Sequence, residues 1–344
     1  MINNNTIVEK ETWNELVKAD KNSTIFSFYE WCEILEEIQK QKCIRIKNGD
    51  TILPLSLIKS AIFGNRLISI PFADYGGPII KNFNEDEFVG IIEKTKKLAD
   101  SLNVDYVEIR APNSNFENFL LMEKFEKRVD YYTFKIPIDI SEEELKKIIG
   151  KNRRYEIRKS EIKGVEFRVA TSIEDLKFFY ELYLKTMKKI GSPPQSLIYF
   201  ESLWKQFFPN HITVPFAIYK QNIIASGIFL HYNGLVHHLY SCSLEKYFGL
   251  GANEYILWNM MLKGKKMGYK LLDMGRTRKN SGVWNYKQKW NGIMVEMPYY
   301  YYFVNKKLKQ RDEERFNKVS VLWRRYMPSY LAKIIGPWII KQIG

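Results

Sequence analysis

The sequence contains few of the residues that build metal sites, disulfide frameworks or simple hydrolytic triads. Its 344 residues include three cysteines and four histidines. Cys32, Cys43 and Cys242 lack metal-ligand spacing and cannot all pair, and no HxxxH, CxxC or GxSxG pattern occurs. These absences argue against a disulfide-stapled domain, a metal centre and a serine hydrolase, and they favour a reduced, cytoplasmic setting with no bound metal.

Long hydrophobic runs are also missing. No apolar stretch reaches the length that spans a bilayer, and the N-terminal residues lack the basic and apolar regions of a secretion signal. With 45% hydrophobic and 15% aromatic residues, the composition is that of a globular protein large enough for two domains. His237 and His238 are adjacent in a predicted strand, so their side chains point to opposite faces and cannot chelate together.

Acidic residues become scarce in the second half. Residues 1–144 hold 18 Lys/Arg and 25 Asp/Glu, whereas residues 145–344 hold 35 and 14. The excess is concentrated in 145–163 and 305–344. This asymmetry favours partners that are polyanions, such as RNA, a nucleotide phosphate or an anionic lipid surface, and it gives no sign of DNA recognition. The alternative is a set of solvated lysine-rich faces.

The order of predicted elements indicates an α/β (α+β) fold with an internal repeat. Helices are predicted at 27–40, 85–102, 141–163, 173–190 and 253–267, with strands at 43–47, 51–58, 66–70, 105–110, 214–219, 223–230, 235–241 and 269–274. The turn Asn48-Gly49-Asp50 predicts a hairpin between the first two strands. Antiparallel strands, a helix and a strand ending near an acidic residue occur twice, offset by 165 residues, so that Glu108 matches Asp273. We therefore predict domains at 1–145 and 146–344, the second with a basic entry helix and a C-terminal amphipathic tail.

A turn between the third strand and the helix of the second repeat carries the first candidate site. Lys246, Gly249 and Gly251 are spaced like the pyrophosphate loop of GNAT acyltransferases, with Lys246 where Arg or Gln is usual. Glycines allow an anion to approach the backbone, and the first amides of a helix can bind phosphate. This turn is the predicted cofactor-binding site, and an ordinary strand-to-helix turn is the alternative.

The segment after strand 269–274 carries the second candidate site. Asp273 lies near the end of that strand, and Arg276, Tyr286 and Lys287 follow it in a predicted loop. Lys287 can stabilise the oxyanion of an acyl-transfer intermediate, and Arg276 can bind a carboxylate or phosphate in a bidentate way. We predict Lys287 as catalytic and the other three as substrate contacts. The alternative is an Asp273–Arg276 ion pair beside a solvated Lys287.

Two further regions offer polar groups. The loop Ser69–Pro78 presents Asp74 as a second catalytic candidate and Tyr75 as a substrate contact, with Trp31 on the preceding helix as another. This loop can equally be only a turn. In the basic helix, Lys151, Arg153, Arg154 and Arg158 form the predicted polyanion-binding face, for which a solvated linker helix is the alternative. The C-terminal tail could rest on a membrane or dock on the protein itself.

Several of these motifs together resemble the FemAB-type transferases, and most of all the branch associated with exopolysaccharide and exosortase systems. They are Ser69–Pro78, Arg153–Lys159, Gly191–Pro194 with Tyr199 and Phe200, Asp273–Arg276, Gly282, Tyr286–Trp290, Trp323–Arg325, Pro328 and Gly336–Pro337. The resemblance implies two tandem GNAT-like domains, each a mostly antiparallel mixed sheet flanked by helices. Members that build peptidoglycan bridges transfer an aminoacyl group from aminoacyl-tRNA to an amine, and Lys287 matches their lysine at the carbonyl oxygen. The long helical-hairpin arm of some members is missing here.

The resemblance implies an aminoacyl- or acyltransferase that modifies an amino group of a cell-envelope or polysaccharide precursor. No tightly bound cofactor is expected, and the co-substrate is aminoacyl-tRNA or acyl-coenzyme A. The alternatives are a coenzyme A-dependent N-acetyltransferase and a non-catalytic GNAT-like module that binds RNA or an anionic membrane. The expected location is the cytoplasm, with contact at the inner membrane face as an option.

Overall fold

A computed structural model describes residues 8–60, 63–111, 116–305, 323 and 327–343. These residues form two units. The first is built from described residues within Met1–Asp130, Glu296–Arg315 and Trp338–Gly344, and the second from those within Tyr131–Val295 and Phe316–Pro337. Each unit has its own hydrophobic core of buried aliphatic and aromatic side chains.

The first unit contains a mixed sheet with helices packed against it. Its helices are α1 (Lys10–Ala19), α2 (Tyr29–Glu37), α3 (Glu85–Ser101) and α4 (Glu117–Met122). Its strands are β1 (Lys42–Asn48), β2 (Thr51–Ile58), β3 (Arg66–Ile68), β4 (Ile79–Ile80), β5 (Tyr106–Ile109), and parts of β6 (Glu126–Pro137) and β14 (Ile293–Phe303). The strand order is β1-β2-β3-β5-β14, with β4 beside β2, and only β3 and β5 run parallel.

The hairpin predicted from Asn48-Gly49-Asp50 joins β1 and β2. Gly49 has a φ of 59°, which glycine adopts readily. The carboxylate of Glu87 on α3 accepts the Asp50 amide hydrogen at 2.8 Å, which ties the turn to a helix. Every residue of β2 is buried, as expected for a strand covered on both faces of its sheet.

The second unit contains a larger sheet. Its strands are the rest of β6, then β7 (Glu166–Val169), β8 (Ile212–Thr213), β9 (Pro215–Tyr219), β10 (Asn222–Tyr232), β11 (Leu235–Ser243), β12 (Leu271–Asp273) and β13 (Thr277–Arg278). Its helices are α5 (Glu142–Ile162), α6 (Leu176–Ile190), α7 (Leu197–Phe207), α8 (Ala252–Lys266), α9 (Gly282–Gln288) and α10 (Ser329–Ile340), the last ending in the first unit. The order β6-β12-β11-β10-β9-β7 contains one parallel pair, β11 with β12.

The predicted repeat is visible in both units. In the first, β3 is followed by α3 and then by β5, which runs parallel to β3. In the second, β11 is followed by α8 and then by β12, which runs parallel to β11. Glu108 lies opposite Ile68 in the first pair, and Asp273 lies opposite His237 in the second. Each unit is thus a mostly antiparallel sheet with one helix-linked parallel pair.

The predicted domain boundaries differ from the observed ones. The chain changes units at residue 130, not 145, because residues 131–137 of β6 already pair with β12 and β13. It also returns to the first unit, since Tyr300–Phe303 of β14 pair with Tyr106–Ile109 of β5. Arg66 of β3 additionally donates hydrogen bonds to the carbonyl oxygens of Gln342 and Ile343.

The C-terminal tail is described only in part, because most of 305–344 lies outside the described residues. Within α10, Gly336 packs so closely on Pro194 that a Cβ atom would lie 2.3 Å from the proline ring. The ammonium of Lys333 lies 5.9 Å from the ring centre of Tyr180. The part of α10 around Lys333 and Gly336 therefore docks on the second unit, whereas Gln342 and Ile343 bond to Arg66 of the first unit. Ile334 and Trp338 stay exposed.

Candidate functional site

A cavity of about 790 Å³ opens in the second unit where two parallel strands part. Pairing of β11 with β12 ends at His237 and Asp273, although β11 continues to Ser243. The chain turns away after β12 at Gly275, whose φ of 76° glycine adopts without steric penalty. The cavity is lined by Lys189, Ile224, His238, Ser241, Ser243, Leu244, Tyr247, Phe248, Ala252, Asn253, Glu254, Met274, Ser281, Gly282, Val283, Tyr286 and Lys287. Crevices beyond the carboxyl ends of parallel strands are common ligand sites.

Lys287 is a buried cation in the wall of this cavity. It lies on α9, which begins where the Ser281 hydroxyl accepts a hydrogen bond from the Trp284 amide. Lys287 is only 8% exposed, and its Nζ donates to the carbonyl oxygens of Gly275 at 2.7 Å and Arg276 at 3.2 Å. The predicted loop therefore contains a helix, and the ammonium is held in place and not solvated.

Asp273 fixes the turn that holds this lysine. Its carboxylate is fully buried, and Oδ1 accepts hydrogen bonds from the Thr133 hydroxyl and the Gly275 amide, while His237 Nδ1 lies 3.7 Å from Oδ2. Burial alone would raise the pKa of Asp273, but His237, Lys135 and the Thr133 hydrogen bond outweigh it and hold that pKa at about 2. Asp273 is thus a positioning carboxylate beneath the cavity and does not line it.

Sequence reasoning missed His238, which faces the cavity. Its imidazole stacks on Phe229, with 4.3 Å between ring centres. Burial and the charge of Lys287 lower the pKa of His238 to about 3, so the ring is neutral near pH 7. The sequence held a signal for this residue, because the side chains of adjacent strand residues point to opposite faces of the sheet. One histidine of the pair approaches Asp273, and the other lines the cavity.

The first turn of α8 forms another part of the wall. Ala252, Asn253 and Glu254 line the cavity, and no side chain caps the helix at Gly251. The first amides of a helix attract anions. Glu254 differs from the other two because it is acidic. Burial raises the pKa of its carboxyl group, although the guanidinium of Arg153, which forms an ion pair with it at 2.5 Å, acts against this shift.

The three residues predicted to bind a cofactor have different surroundings. Lys246 is exposed beside the Tyr247 ring and is not among the cavity residues, whereas Tyr247 and Phe248 are. Gly251 has a φ of 70°, and a Cβ atom there would lie 2.5 Å from the Glu156 carbonyl, so close packing on α5 explains this glycine. No atom would come within 4 Å of a Cβ at Gly249.

The remaining candidate residues in the second unit, Tyr286 and Arg276, also lie in different surroundings. Tyr286 lines the cavity, and burial raises the pKa of its phenol well above the usual range. The guanidinium of Arg276 lies 4.7 Å from the Tyr131 ring centre, so its side chain stacks on an aromatic and is not among the cavity residues. Asp273 accepts a hydrogen bond from Thr133 and lies 3.7 Å from His237 Nδ1, and the Asp273–Arg276 ion pair stays a prediction.

The candidates in the first unit lie around a rigid loop. Ile70 and Phe72 both have positive φ, 58° and 59°, which costs free energy for such side chains. Arg110 holds this loop by donating to the carbonyl oxygens of Ile70 and Ala73. Asp74 is buried within it.

Tyr75 and Trp31 belong to the packing around that loop. Tyr75 lines a small hollow of about 40 Å³ and contacts Phe26. Trp31 is fully buried, donates to the Pro71 carbonyl at 3.3 Å and packs edge-on against Phe26. The prediction of Trp31 as a substrate contact therefore needs correction: the indole supports the loop from within the core of its unit.

The basic helix α5 places its four predicted polyanion-binding residues in two different environments. Gly150 kinks it, and Lys151, Arg154 and Arg158 beyond the kink line a hollow of about 510 Å³. Arg153 does not join them. It is buried, pairs with Glu254 and lies 5.5 Å from the Tyr286 ring centre, so it braces the cavity wall and is not available to a polyanion.

Among the described residues, no three side chains that could ligate a metal come together. No helix within the described ranges is both long enough and apolar enough to cross a bilayer.

Comparison with known proteins agrees with this architecture. Residues 149–288 match the family model described as an acetyltransferase (GNAT) domain. No curated protein matches. The structure is similar to that of FemX, at 15% identity and a TM-score of 0.71 over 91% of this chain and 98% of FemX.

Two further solved structures are similar over most of their lengths. L-PGS from Bacillus licheniformis is 13% identical, with a TM-score of 0.60 over 92% of this chain and 98% of its own. The C-terminal domain of a proposed lysylphosphatidylglycerol synthetase from Agrobacterium fabrum is 8% identical, with a TM-score of 0.60 over 90% and 96%. The predicted α/β fold of GNAT-like units and the resemblance to FemAB-type transferases are thereby confirmed at the level of the fold. Residues 149–288 thus match an acetyltransferase (GNAT) domain, and the chain shares the fold of FemX.

Proposed function

We propose that this protein transfers an aminoacyl or acyl group onto an amino group of a cell-envelope or polysaccharide precursor, with Lys287 at the reacting carbonyl. The observation that carries the proposal is a buried ammonium in the wall of the cavity where β11 and β12 part. The likeness to FemX and to a protein named for a lysyl-bearing lipid supports aminoacyl transfer. We keep the cytoplasm as the expected site of reaction, with contact at the inner membrane face as a further prediction.

The proposed chemistry needs charge stabilisation more than a strong base. The acceptor amine attacks the carbonyl carbon, a C–N bond forms, and the C–O bond of an ester or the C–S bond of a thioester breaks. Negative charge develops on the carbonyl oxygen, and an ammonium fixed by two carbonyl groups can stabilise it without reorganising. The proton that the amine loses can pass to water, and the departing oxygen or sulfur can take up a proton from water. Proximity in the cavity contributes the rest.

A coenzyme A-dependent N-acetyltransferase is the second candidate function. Two observations favour it: the match of residues 149–288 to a GNAT acetyltransferase domain, and the uncapped first turn of α8 in the cavity wall. Phosphate groups bind well at such a helix start. This candidate differs from the first in the donor and shares the role of Lys287.

The donor and the lysine can be tested together. The purified chain is titrated calorimetrically with acetyl-coenzyme A and with charged tRNA, and transfer to an amine-bearing precursor is then followed with the donor that binds. Lys287→Met should lower kcat by about 100-fold or more, since removing one oxyanion donor commonly has this effect. KM and donor affinity should change little, because the lysine acts on charge that develops during the reaction.

Lys289→Ala is the matched control, because Lys289 is exposed and lies just beyond the same helix. It should leave kcat unchanged, and thermal unfolding should show both variants folded. A Lys287→Met variant that stays folded and retains wild-type kcat would sink the proposed role. Donor binding without any turnover by the wild type would instead favour a non-catalytic GNAT-like module.

A further inference from the structure

One hollow of the second unit gathers cations that the proposed chemistry does not use. It measures about 510 Å³, and its basic residues are Lys146, Lys151, Arg154 and Arg158. Lys151, Arg154 and Arg158 are three and four residues apart, so they lie along one side of α5 at intervals of about 5 Å along its axis. All three are exposed.

These three cations have no carboxylate partner among the described residues. Arg154 donates to the Lys146 carbonyl at 2.7 Å, and no ion pair of the described region includes Lys151, Arg154 or Arg158. Other cations of the same helix do pair, Arg153 with Glu254 and Lys159 with Glu156. Like charges at this spacing repel by a few tenths of a kcal/mol per pair, and a bound chain of anions would relieve that repulsion.

The hollow also offers an aromatic surface between its cations. Tyr155 is 64% exposed and lines the hollow beside Arg154 and Arg158. Trp258 on α8 also lines the hollow, with the ammonium of Lys146 5.8 Å from its ring centre. An exposed ring set among cations is the arrangement that binds single-stranded nucleic acid, because bases stack on the ring while phosphates contact the charges.

The two acidic residues of the hollow do not change this reading. Glu142 pairs with Lys146 at 2.6 Å, so its charge is already compensated. Glu161 lies one turn beyond Arg158 and marks that end of the hollow. The hollow is concave, whereas a bilayer surface is nearly flat on this scale, and a single strand fits it better than a membrane does.

We infer that this hollow binds a single-stranded RNA segment, with Lys151, Arg154 and Arg158 on its phosphates and a base on Tyr155. In identifying that RNA as the unpaired end of a charged tRNA, the inference rests on the proposed function. The binding itself does not depend on acyl transfer, and uncharged RNA should bind as well.

Fluorescence anisotropy with a labelled single-stranded 12-nucleotide RNA tests the inference. The variant Lys151→Ala/Arg154→Ala/Arg158→Ala should bind at least about 10-fold more weakly at moderate salt. The slope of log K against log salt should become less negative by about 2, since each phosphate contact in a single strand contributes about 0.7. Tyr155→Ala should weaken binding several-fold without changing that slope, because stacking does not involve counterion release.

The matched control is Lys177→Ala/Lys185→Ala/Lys188→Ala, which removes the same charge from exposed positions on α6. It should change affinity less than about 3-fold. If both triple variants weakened RNA binding equally, the inference would be wrong, and the RNA would be attracted by the positive charge of the surface as a whole. The inference also fails if pyrophosphate displaces the RNA at equal phosphate concentration, or if phosphatidylglycerol vesicles, and not RNA, require the three cations. Circular dichroism should show every variant folded.

Failure of this inference and failure of the proposed function give different results. If the hollow proves not to bind RNA selectively, transfer from acetyl-coenzyme A should still depend on Lys287. Absence of transfer leaves the anisotropy measurement intact, because that assay contains no acyl group.

Discussion

At the residue scale, the carboxylate of Asp273 connects the core of the second unit to its candidate active site. The Gly275 amide donates to Asp273, and the Gly275 carbonyl in turn accepts from Lys287. The carboxylate therefore acts through the backbone of a turn and not through contact with substrate. Single-residue reasoning could place a lysine near a carbonyl, but it could not show which carbonyl groups would hold the ammonium.

Asp273→Asn should lower the free energy of unfolding by about 3 kcal/mol at pH 7, because it removes a buried charge from its partners. The pKa of Asp273 is lower in the native state than in the unfolded chain. Its contribution to the free energy of unfolding is therefore complete above about pH 4 and is lost as the pH falls toward 2. The wild type should therefore lose about 2 kcal/mol more than the variant over that range. Urea unfolding at several pH values measures both effects.

Asp139→Asn is the control for that prediction, because Asp139 is exposed. It should stay within about 0.5 kcal/mol of the wild type. If Asp273→Asn also left the free energy of unfolding unchanged, the carboxylate would not hold the turn.

At the element scale, the turn between β11 and α8 illustrates two uses of glycine. The spacing of Gly249 and Gly251 suggested a site for an anion. In the structure, Gly251 allows α8 to begin against the backbone of α5, and its left-handed conformation adds a second reason for glycine. Gly249 has open space where a side chain would be, so packing does not account for it. It stays a prediction as a ligand contact.

Gly251→Ala should lower the free energy of unfolding by about 1–3 kcal/mol, because a methyl group meets the Glu156 carbonyl and φ is positive. Gly249→Ala is the matched substitution and should stay within about 0.5 kcal/mol of the wild type. Chemical denaturation of both variants tests the difference. Equal stability of the two would contradict the close approach of α5 and α8.

Elements with strong local signals were predicted well. The hairpin of β1 and β2 followed from its turn, and α3, α5 and α8 followed from helical periodicity. The missed elements lacked such signals. The β14 segment, Ile-Met-Val-Glu-Met-Pro-Tyr-Tyr-Tyr-Tyr-Phe, does not alternate between polar and apolar residues, and α9 is only seven residues long with a polar, exposed side. The partner strand β5 lies almost 200 residues before β14 in the chain, a relation that local patterns do not contain.

At the scale of the whole molecule, the candidate site could be predicted only in part. Residue type and order indicated Lys287 and Tyr286, and both line the cavity. His238 and Glu254 were missed, because their position depends on β11 and β12 separating after three residue pairs. Arg153 was assigned to the wrong face of its helix, since its partner Glu254 lies 101 residues away.

One buried histidine, His231, and one partly buried histidine, His238, should make the fold sensitive to mild acid. Burial lowers the pKa of His231 and of His238 to about 3, whereas an unfolded histidine has a pKa near 6.5. The unfolded chain therefore binds more protons between these values, and stability should fall by up to about 3 kcal/mol per pH unit as the pH drops below 6.

The free energy of unfolding at pH 7, 6 and 5 measures this slope. His231→Gln/His238→Gln should flatten it, whatever its stability at pH 7. The exposed residue Lys205 offers a control, since Lys205→Ala should leave the slope unchanged. A wild-type slope equal to that of the double variant would show that these histidines do not resist protonation.

The return of the chain to its first unit affects the order in which the protein can fold during synthesis. The edge of β5 acquires its partner only when Tyr300–Phe303 have left the ribosome, and Arg66 meets its carbonyl partners about 40 residues later. Domains usually complete themselves from the N-terminus onward. Here the first unit must wait, and the unit that carries the cavity has most of its sheet available first. A nascent chain stopped at residue 295 would therefore leave a bare strand edge, which is a hazard for aggregation.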